Sequence, residues 1–231
     1  MKAGIIAAGD GSRLKSEGMM ISKPLVHVDG VPLIERLLRS FIRCGISEVA
    51  CIVNEHSLEV KQFVEKLSLN ISVEFVVKTT PSSMHSMFAL APYLHDGKFL
   101  LSTVDSIFDE KEFGSYLHHA QHRTADGVLA VTDFIDDENP LYVQLDTLHR
   151  IQGFSKSDRT TWITGGLYVF SPNVFNEVDT VLQQGVERLR NFLGHLVTTG
   201  YVLEGYPFSK IVDVDHVHDI QMAESLLRSR A

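Results

Sequence analysis

Short apolar blocks alternate with amphipathic stretches through the first half of the chain, and this spacing predicts most of its elements. Lys2 to Ala7, Glu48 to Val53, Ile71 to Val77 and Phe99 to Thr103 are runs of strand length. Between them, Pro32 to Cys44, Leu58 to Leu67 and Ser83 to Leu94 repeat apolar residues at helical spacing. Proline at the start of the first of these sits where a missing N–H costs a helix nothing. Strand–helix alternation of this kind predicts a mainly parallel sheet covered by helices on both faces.

The second half is more mixed. Gly127 to Thr132 reads as a core strand, and Leu141 to Leu145 with Arg150 to Phe154 reads as a strand pair. Trp162 to Phe170 is a further strand, stopped by Ser171-Pro172-Asn173. Helix is expected over Val186 to Val197, strand over Tyr201 to Tyr206, and a closing helix over Val217 to Arg228. The acidic segment Asp133 to Glu138 reads as a surface loop, and no repeat or linker divides the chain. The expected architecture is α/β, a Rossmann-like three-layer αβα sandwich with a mainly parallel, mixed central sheet, formed as one domain over residues 1–231.

Composition narrows the function. With 231 residues and 44% hydrophobic content, the chain can bury a substantial core. A formal net charge of −8 argues against a nucleic-acid scaffold, which needs a basic face. No apolar run reaches membrane-span length and no signal-peptide pattern opens the sequence, so a cytoplasmic protein is expected. Cys44 and Cys51 read as buried thiols rather than a disulfide or a metal pair.

The chemistry starts where the first strand breaks into Ala7-Ala8-Gly9-Asp10-Gly11-Ser12-Arg13-Leu14. A glycine-rich turn after a buried strand exposes backbone N–H groups that suit a phosphate. Arg13 adds a planar cationic fork, and Lys23, in Ser22-Lys23-Pro24-Leu25, adds a mobile positive charge. The third glycine of a dinucleotide-binding loop is missing, and the G-x-x-x-x-G-K-[ST] of a P-loop is absent.

The segment resembles the signature of the sugar-phosphate nucleotidyltransferases, A-A-G-x-G-[ST]-R-[LM] followed about ten residues on by K-P-L. The resemblance extends from Met1 to about Leu227 and departs from the motif in placing Asp10 between the glycines. It implies nucleotide binding by Ala7, Ala8, Gly9, Gly11 and Ser12, with Arg13 and Lys23 as catalytic cations. It also implies a Mg²⁺-dependent reaction, in which a nucleoside triphosphate and a phosphorylated small-molecule acceptor give an activated product and pyrophosphate. Neither nucleic acid nor membrane is expected as a partner, and a monomer or homodimer is expected.

Ligands of open α/β sheets bind at the carboxyl ends of strands, and Asp105 follows such an end. It resembles the family's metal aspartate, although Val104 replaces the usual preceding glycine. An Asp after a strand is equally a turn former or a helix cap. Asp213 and Asp215, in Ile211-Val212-Asp213-Val214-Asp215, would share one face of a strand, where only a cation or solvent relieves their repulsion. This stretch resembles the family's closing D-x-G-T or D-x-D-T motif. That likeness implies Asp213 as metal ligand with Asp215 as a close second, Asp215 being also a candidate cap for the last helix. His216 and His218, like His118, His119 and His122, read as solvated histidines rather than a zinc site.

Pro81-Ser82-Ser83-Met84-His85 resembles the family's G-T-A-H-A segment against the nucleotide base, which implies Ser82, Ser83 and His85 as nucleotide contacts; helix capping is the alternative. On the acceptor side, Gly153-Phe154-Ser155-Lys156 resembles a stretch ending in E-K-P and implies that Lys156 holds the acceptor phosphate. Thr164-Gly165-Gly166-Leu167-Tyr168 resembles the N-A-G-[IL]-Y strand lining the sugar pocket, which implies Thr164 and Gly166 as acceptor contacts. Ser155 and Thr164 replace a glutamate and an asparagine. The resemblance thus implies as acceptor a sugar-1-phosphate or, in a cytidylyltransferase, a non-sugar phosphate such as phosphocholine or an inositol phosphate. A non-catalytic nucleotide-binding relative stays open beside both.

Overall fold

The structure, a computed structural model, describes residues 1–136 and 138–229. In the first half, strands β1 (Lys2–Ala7), β2 (His27–Val28), β3 (Val31–Pro32), β4 (Glu48–Val53), β5 (Ser72–Val77), β6 (Phe99–Thr103) and β7 (Ser106–Phe108) alternate with helices. Those helices are α1 (Ser12–Ser16), α2 (Leu33–Arg43), α3 (Leu58–Lys66), α4 (Ser83–Leu90) and α5 (Glu110–His122). The second half holds β8 (Gly127–Thr132), β9 (Tyr142–Leu145), β10 (Ile151–Ser155), β11 (Trp162–Phe170), β12 (Leu203–Phe208) and β13 (Ile211–Asp213), with α6 (Val178–Gln183), α7 (Leu189–Thr198) and α8 (Val217–Arg228).

β1 lies between β4 and β6 in parallel register, and β5 extends the same side. Every residue of β1 from Ala3 to Ala7 is buried, as a strand covered on both faces requires. β11 pairs antiparallel with β6, β8 and β9, β8 pairs parallel with β12, and β10 closes the edge antiparallel to β9. Among the described residues only β10 and β11 therefore run against the other strands of this nine-stranded sheet. The sheet is mixed and mainly parallel, the expected α/β architecture.

The two faces carry separate cores. Phe41 of α2, Val60 of α3 and Phe113 and Tyr116 of α5 pack on one, while Met84 and Met87 of α4 and Phe192 and Leu196 of α7 pack on the other. Burying one such side chain contributes roughly 1.5–3 kcal/mol, so the amphipathic faces read from the sequence suffice to seat these helices. A third, smaller cluster joins Leu14 of α1 to Ile107, Val212, Ala223 and Leu226. It holds α8 and the two-stranded β7–β13 ladder beside the carboxyl end of β6, which positions the site.

Several elements differ from their sequence reading. The expected helix over Val186 to Val197 begins only at Leu189 and is preceded by α6; the helix from Ser83 tightens into a 3₁₀ turn at Ala91–Tyr93. Proline at 92 has no N–H to continue the α-helical ladder, which accounts for the tightening. The strand at the second-half edge runs Leu203–Phe208, two residues later than expected. Cys51 is buried as expected, but Cys44, at the end of α2, is only half-buried. The acidic loop is exposed at Asp133, Asp136 and Glu138; Asp137 lies outside the described residues.

Candidate active site

The chain leaves β1 at Ala7 and turns back into α1 through Gly9, Asp10 and Gly11. Gly11 adopts φ 58°, ψ 35° as the cap of α1, and a Cβ there would stand 3.1 Å from the Cβ of Lys23. Only glycine meets both conditions without strain. Lys23 opens a 3₁₀ turn, Lys23–Leu25, and is thereby held against the glycine loop. Ala7, Gly9, Gly11, Ser12, Arg13, Lys23, Asp105 and Asp215 line one cavity of about 360 Å³.

Charge is concentrated at its floor. The Lys23 ammonium donates to Asp105 and, at 2.5 Å, to Asp215, while the Arg13 guanidinium donates to the other Asp215 oxygen at 2.5 Å. Burial works against the charge of Lys23, but the carboxylates of Asp105 and Asp215 outweigh it and hold its pKa above the ordinary lysine range. Burial likewise opposes ionisation of Asp105; Lys23 reverses that and holds its carboxyl below the usual range. Asp213 behaves differently. Burial, reinforced by the neighbouring charge of Asp105, pushes its carboxyl up to about 7, even though the Ser106 hydroxyl donates to it at 2.7 Å.

β13 ends at Asp213, and the chain turns before Asp215, whose N–H donates to the Asp213 carbonyl at 3.1 Å. The two carboxylates therefore do not alternate along one strand as the spacing suggested. The cap of α8 is His216, in a reciprocal box with Asp219, so Asp215 does not serve as the cap. Its side chain is left for Arg13 and Lys23. His216 also bonds to Glu17, which makes it a half-buried structural histidine, whereas His118, His122 and His218 are exposed.

The bulge in β11 makes room for this arrangement. Gly166 has φ +74°, and a Cβ there would lie 2.6 Å from the Thr103 hydroxyl and collide with the Ser106 hydroxyl. These two hydroxyls are 2.9 Å apart and Ser106 goes on to Asp213. Ser106 had no sequence signal, because its role depends on pairing with Asp213, 107 positions away. Thr164 lines a small adjoining cavity together with Arg13, Asp213 and Asp215.

The remaining sequence candidates fall elsewhere. The Ser82 hydroxyl accepts from the Arg188 N–H at 3.2 Å and contacts His85 at 2.9 Å, while the Ser83 hydroxyl accepts from the Leu189 N–H at 3.3 Å. Both hydroxyls thus tie the start of α7 to α4, and neither caps its own helix. Lys156 is exposed in a turn that Ser155 closes, outside both cavities. A larger cavity of about 460 Å³, between α2, β7 and the end of α8, contains neither the glycine loop nor the three aspartates.

The Asp105 and Asp213 carboxylates fit a hard divalent cation. Asp105 keeps one buried oxygen, Oδ1, without a hydrogen-bond partner, and the half-buried Asp213 lies near enough for the charge of Asp105 to raise its pKa. Oxygen ligands of this kind, one or two per ion, are what Mg²⁺ takes from a protein when phosphates supply the rest.

A glycine loop, two cations and three aspartates thus gather at one edge of an α/β sheet. The model of the MobA-like NTP transferase domain matches residues 3–198. The chain belongs to that family. Relatives include the mannose-1-phosphate guanyltransferase of Hypocrea jecorina, 24% identical over 193 residues, covering 78% of this chain and 52% of that protein. The glucose-1-phosphate thymidylyltransferase of an Actinoplanes species is 25% identical over 182 residues, covering 75% and 59%. The chain thus spans little more than half the length of these relatives. Among solved structures, the inositol-1-phosphate CTP transferase of T. maritima has the same fold, with a TM-score of 0.84 at 23% identity and coverage of 98% and 96%. Among the described residues no helix is long and apolar enough to cross a membrane.

Proposed function

We propose that this MobA-like NTP transferase transfers a nucleoside monophosphate from a nucleoside triphosphate to a sugar-1-phosphate or related phosphorylated acceptor, with release of pyrophosphate. The observation that carries this reading is the convergence of Lys23 and Arg13 with Asp105 and Asp215 under the glycine loop. The loop N–H groups and the two cations receive the triphosphate. An acceptor phosphate oxygen, already anionic, attacks the α-phosphorus in line; the bond to the β-phosphate breaks and pyrophosphate leaves. No protein nucleophile or base is required, because positioning and charge stabilisation carry phosphoryl chemistry.

Asp105 and Asp213, with Asp215 adjacent, would hold Mg²⁺, which supplies charge neutralisation on the phosphates when bound. As the triphosphate enters, Lys23 and Arg13 exchange carboxylate partners for phosphate oxygens. Thr164 and the Gly166 bulge face the acceptor, while Lys156, exposed outside both cavities, would have to move inwards to meet its phosphate. The N-terminal half serves the nucleotide and the C-terminal half the acceptor within one cytoplasmic domain, acting as a monomer or homodimer.

Ser155 and Thr164, which stand where a glutamate and an asparagine would meet a hexose, support a second reading in which a cytidylyltransferase acts on a polyol or choline phosphate. Pyrophosphate release, measured with Mg²⁺ for each common nucleoside triphosphate against sugar-1-phosphates, inositol phosphate and phosphocholine, tests both. Release with a sugar-1-phosphate supports the first, and release only with CTP and a non-sugar phosphate supports the second. Silence across the panel with no triphosphate binding overturns the transferase reading.

A further inference from the structure

Asp10 places a carboxylate inside a loop whose N–H groups are built for an anion, which calls for a restraint on its side chain. The structure supplies one. Asn54 follows the last residue of β4, and because Ala7 pairs with Val53, it lies beside the start of the glycine loop. Its side chain is buried, with the residue only 3% exposed. The Asn54 amide Nδ2 donates to the Ala8 carbonyl at 3.4 Å and to Asp10 Oδ1 at 3.3 Å, and its Oδ1 accepts from the His56 N–H at 3.0 Å.

A buried amide must satisfy its donors and acceptor or carry their desolvation cost. Here the His56 N–H satisfies the acceptor and loop atoms take the donors, so the orientation of Asn54 and the path of the loop fix each other. The bond to Asp10 also draws that carboxylate towards β4. Gly9, Gly11, Ser12 and Arg13 line the phosphate cavity and Asp10 does not. An unrestrained Asp10 would meet an incoming triphosphate as a like charge, and would compete with it for Arg13 and Lys23.

We infer that Asn54 is a positioning residue for the nucleotide: it anchors the glycine loop through Ala8 and turns the Asp10 charge away from the triphosphate. The inference rests on the transferase reading and concerns triphosphate affinity, so it is read by calorimetric binding as well as by turnover. Binding of the triphosphate that the wild-type protein prefers is measured for Asn54→Ala, Asp10→Ala and the double variant, and for Asn54→Asp, which keeps the shape of the side chain and faces Asp10 with a second carboxylate.

Loss of a hydrogen bond to a charged group predicts about tenfold weaker binding in Asn54→Ala and a larger loss in Asn54→Asp. In the transfer assay the loss falls on KM, with kcat largely retained. Asp10→Ala binds at least as tightly as the wild type, and in its background the Asn54→Ala loss shrinks to about threefold or less, since only the Ala8 anchor is then missing. Equal binding by wild type, Asn54→Ala and Asn54→Asp overturns the inference while leaving the transferase reading intact. So does an Asn54→Ala loss of the same size with and without Asp10. A wild-type protein that binds no triphosphate overturns both.

Discussion

Gly166 and Ser106 meet at the centre of the site: the left-handed turn at Gly166 leaves the space that the Ser106 hydroxyl occupies, and Ser106 in turn donates to Asp213 at 2.7 Å. The relationship joins the bulge of β11 to the β7–β13 ladder, and so links the backbone proposed to face the acceptor to a carboxylate proposed to hold the metal. Gly166→Ala introduces both a φ that alanine avoids and a collision with Ser106. It should cost about 1–3 kcal/mol of stability and displace Ser106 from Asp213. A lowered melting temperature together with reduced pyrophosphate release is the expected result.

Lys23 is the second crossing point. Its side chain is 10% exposed and neutralises Asp105, 18% exposed, as well as Asp215. Lys23→Met leaves a buried carboxylate without its cation, which costs about 3 kcal/mol when a paired charge is stranded in this way. Urea denaturation should show the loss without any nucleotide present. Millimolar Mg²⁺ should restore part of it if the freed carboxylates accept the ion.

Much of this arrangement was legible in the chain, and the limit has a physical cause. β1, β4 and β6 are buried on both faces, so their apolar runs stand out, and the helices that cover them show one apolar stripe each. The glycine loop, Lys23 and Asp105 were visible because local spacing defines them. Ser106 and Asn54 were not, since each matters through a partner distant in sequence and neither belongs to a periodic pattern. β7 and β13 are three residues each, too short for alternation to show. Ser82 and Ser83 were read as base contacts from their likeness to the family's G-T-A-H-A segment, whereas their bonds to the start of α7 appear only in the fold.

Arg188 is strained. It caps α7 with φ 69°, ψ 140°, a region that glycine enters freely and arginine does not. Its N–H is held by Ser82, which keeps the strained turn in place. Arg188→Gly should raise stability by about 1 kcal/mol, read as a higher denaturation midpoint at unchanged slope. Ser82→Ala should lower it by a similar amount through loss of the bond.

The buried thiol gives a pH signature. Complete burial pushes Cys51 from an ordinary 9.0 up to about 12. A group that holds its proton more tightly when folded stabilises the protein fully below its unfolded value, and loses that contribution as pH rises through the folded one. Stability of the wild type should therefore fall more steeply between about pH 9 and 12 than that of Cys51→Ala, the other alkaline titrations being common to both. Equal slopes would show that the thiol is not sequestered in the native state.

The central claim is that this site transfers a nucleotidyl group, and following a phosphorus label through the reaction tests it most directly. With the triphosphate labelled at the α-phosphorus and the best acceptor supplied, the label should move to an acceptor-linked product, while a γ-label leaves in pyrophosphate. Asp105→Asn should slow both by about two to three orders of magnitude without loss of fold. Appearance of the γ-label as inorganic phosphate, with the α-label left in a nucleoside diphosphate, would contradict the account and mark the protein as a triphosphatase.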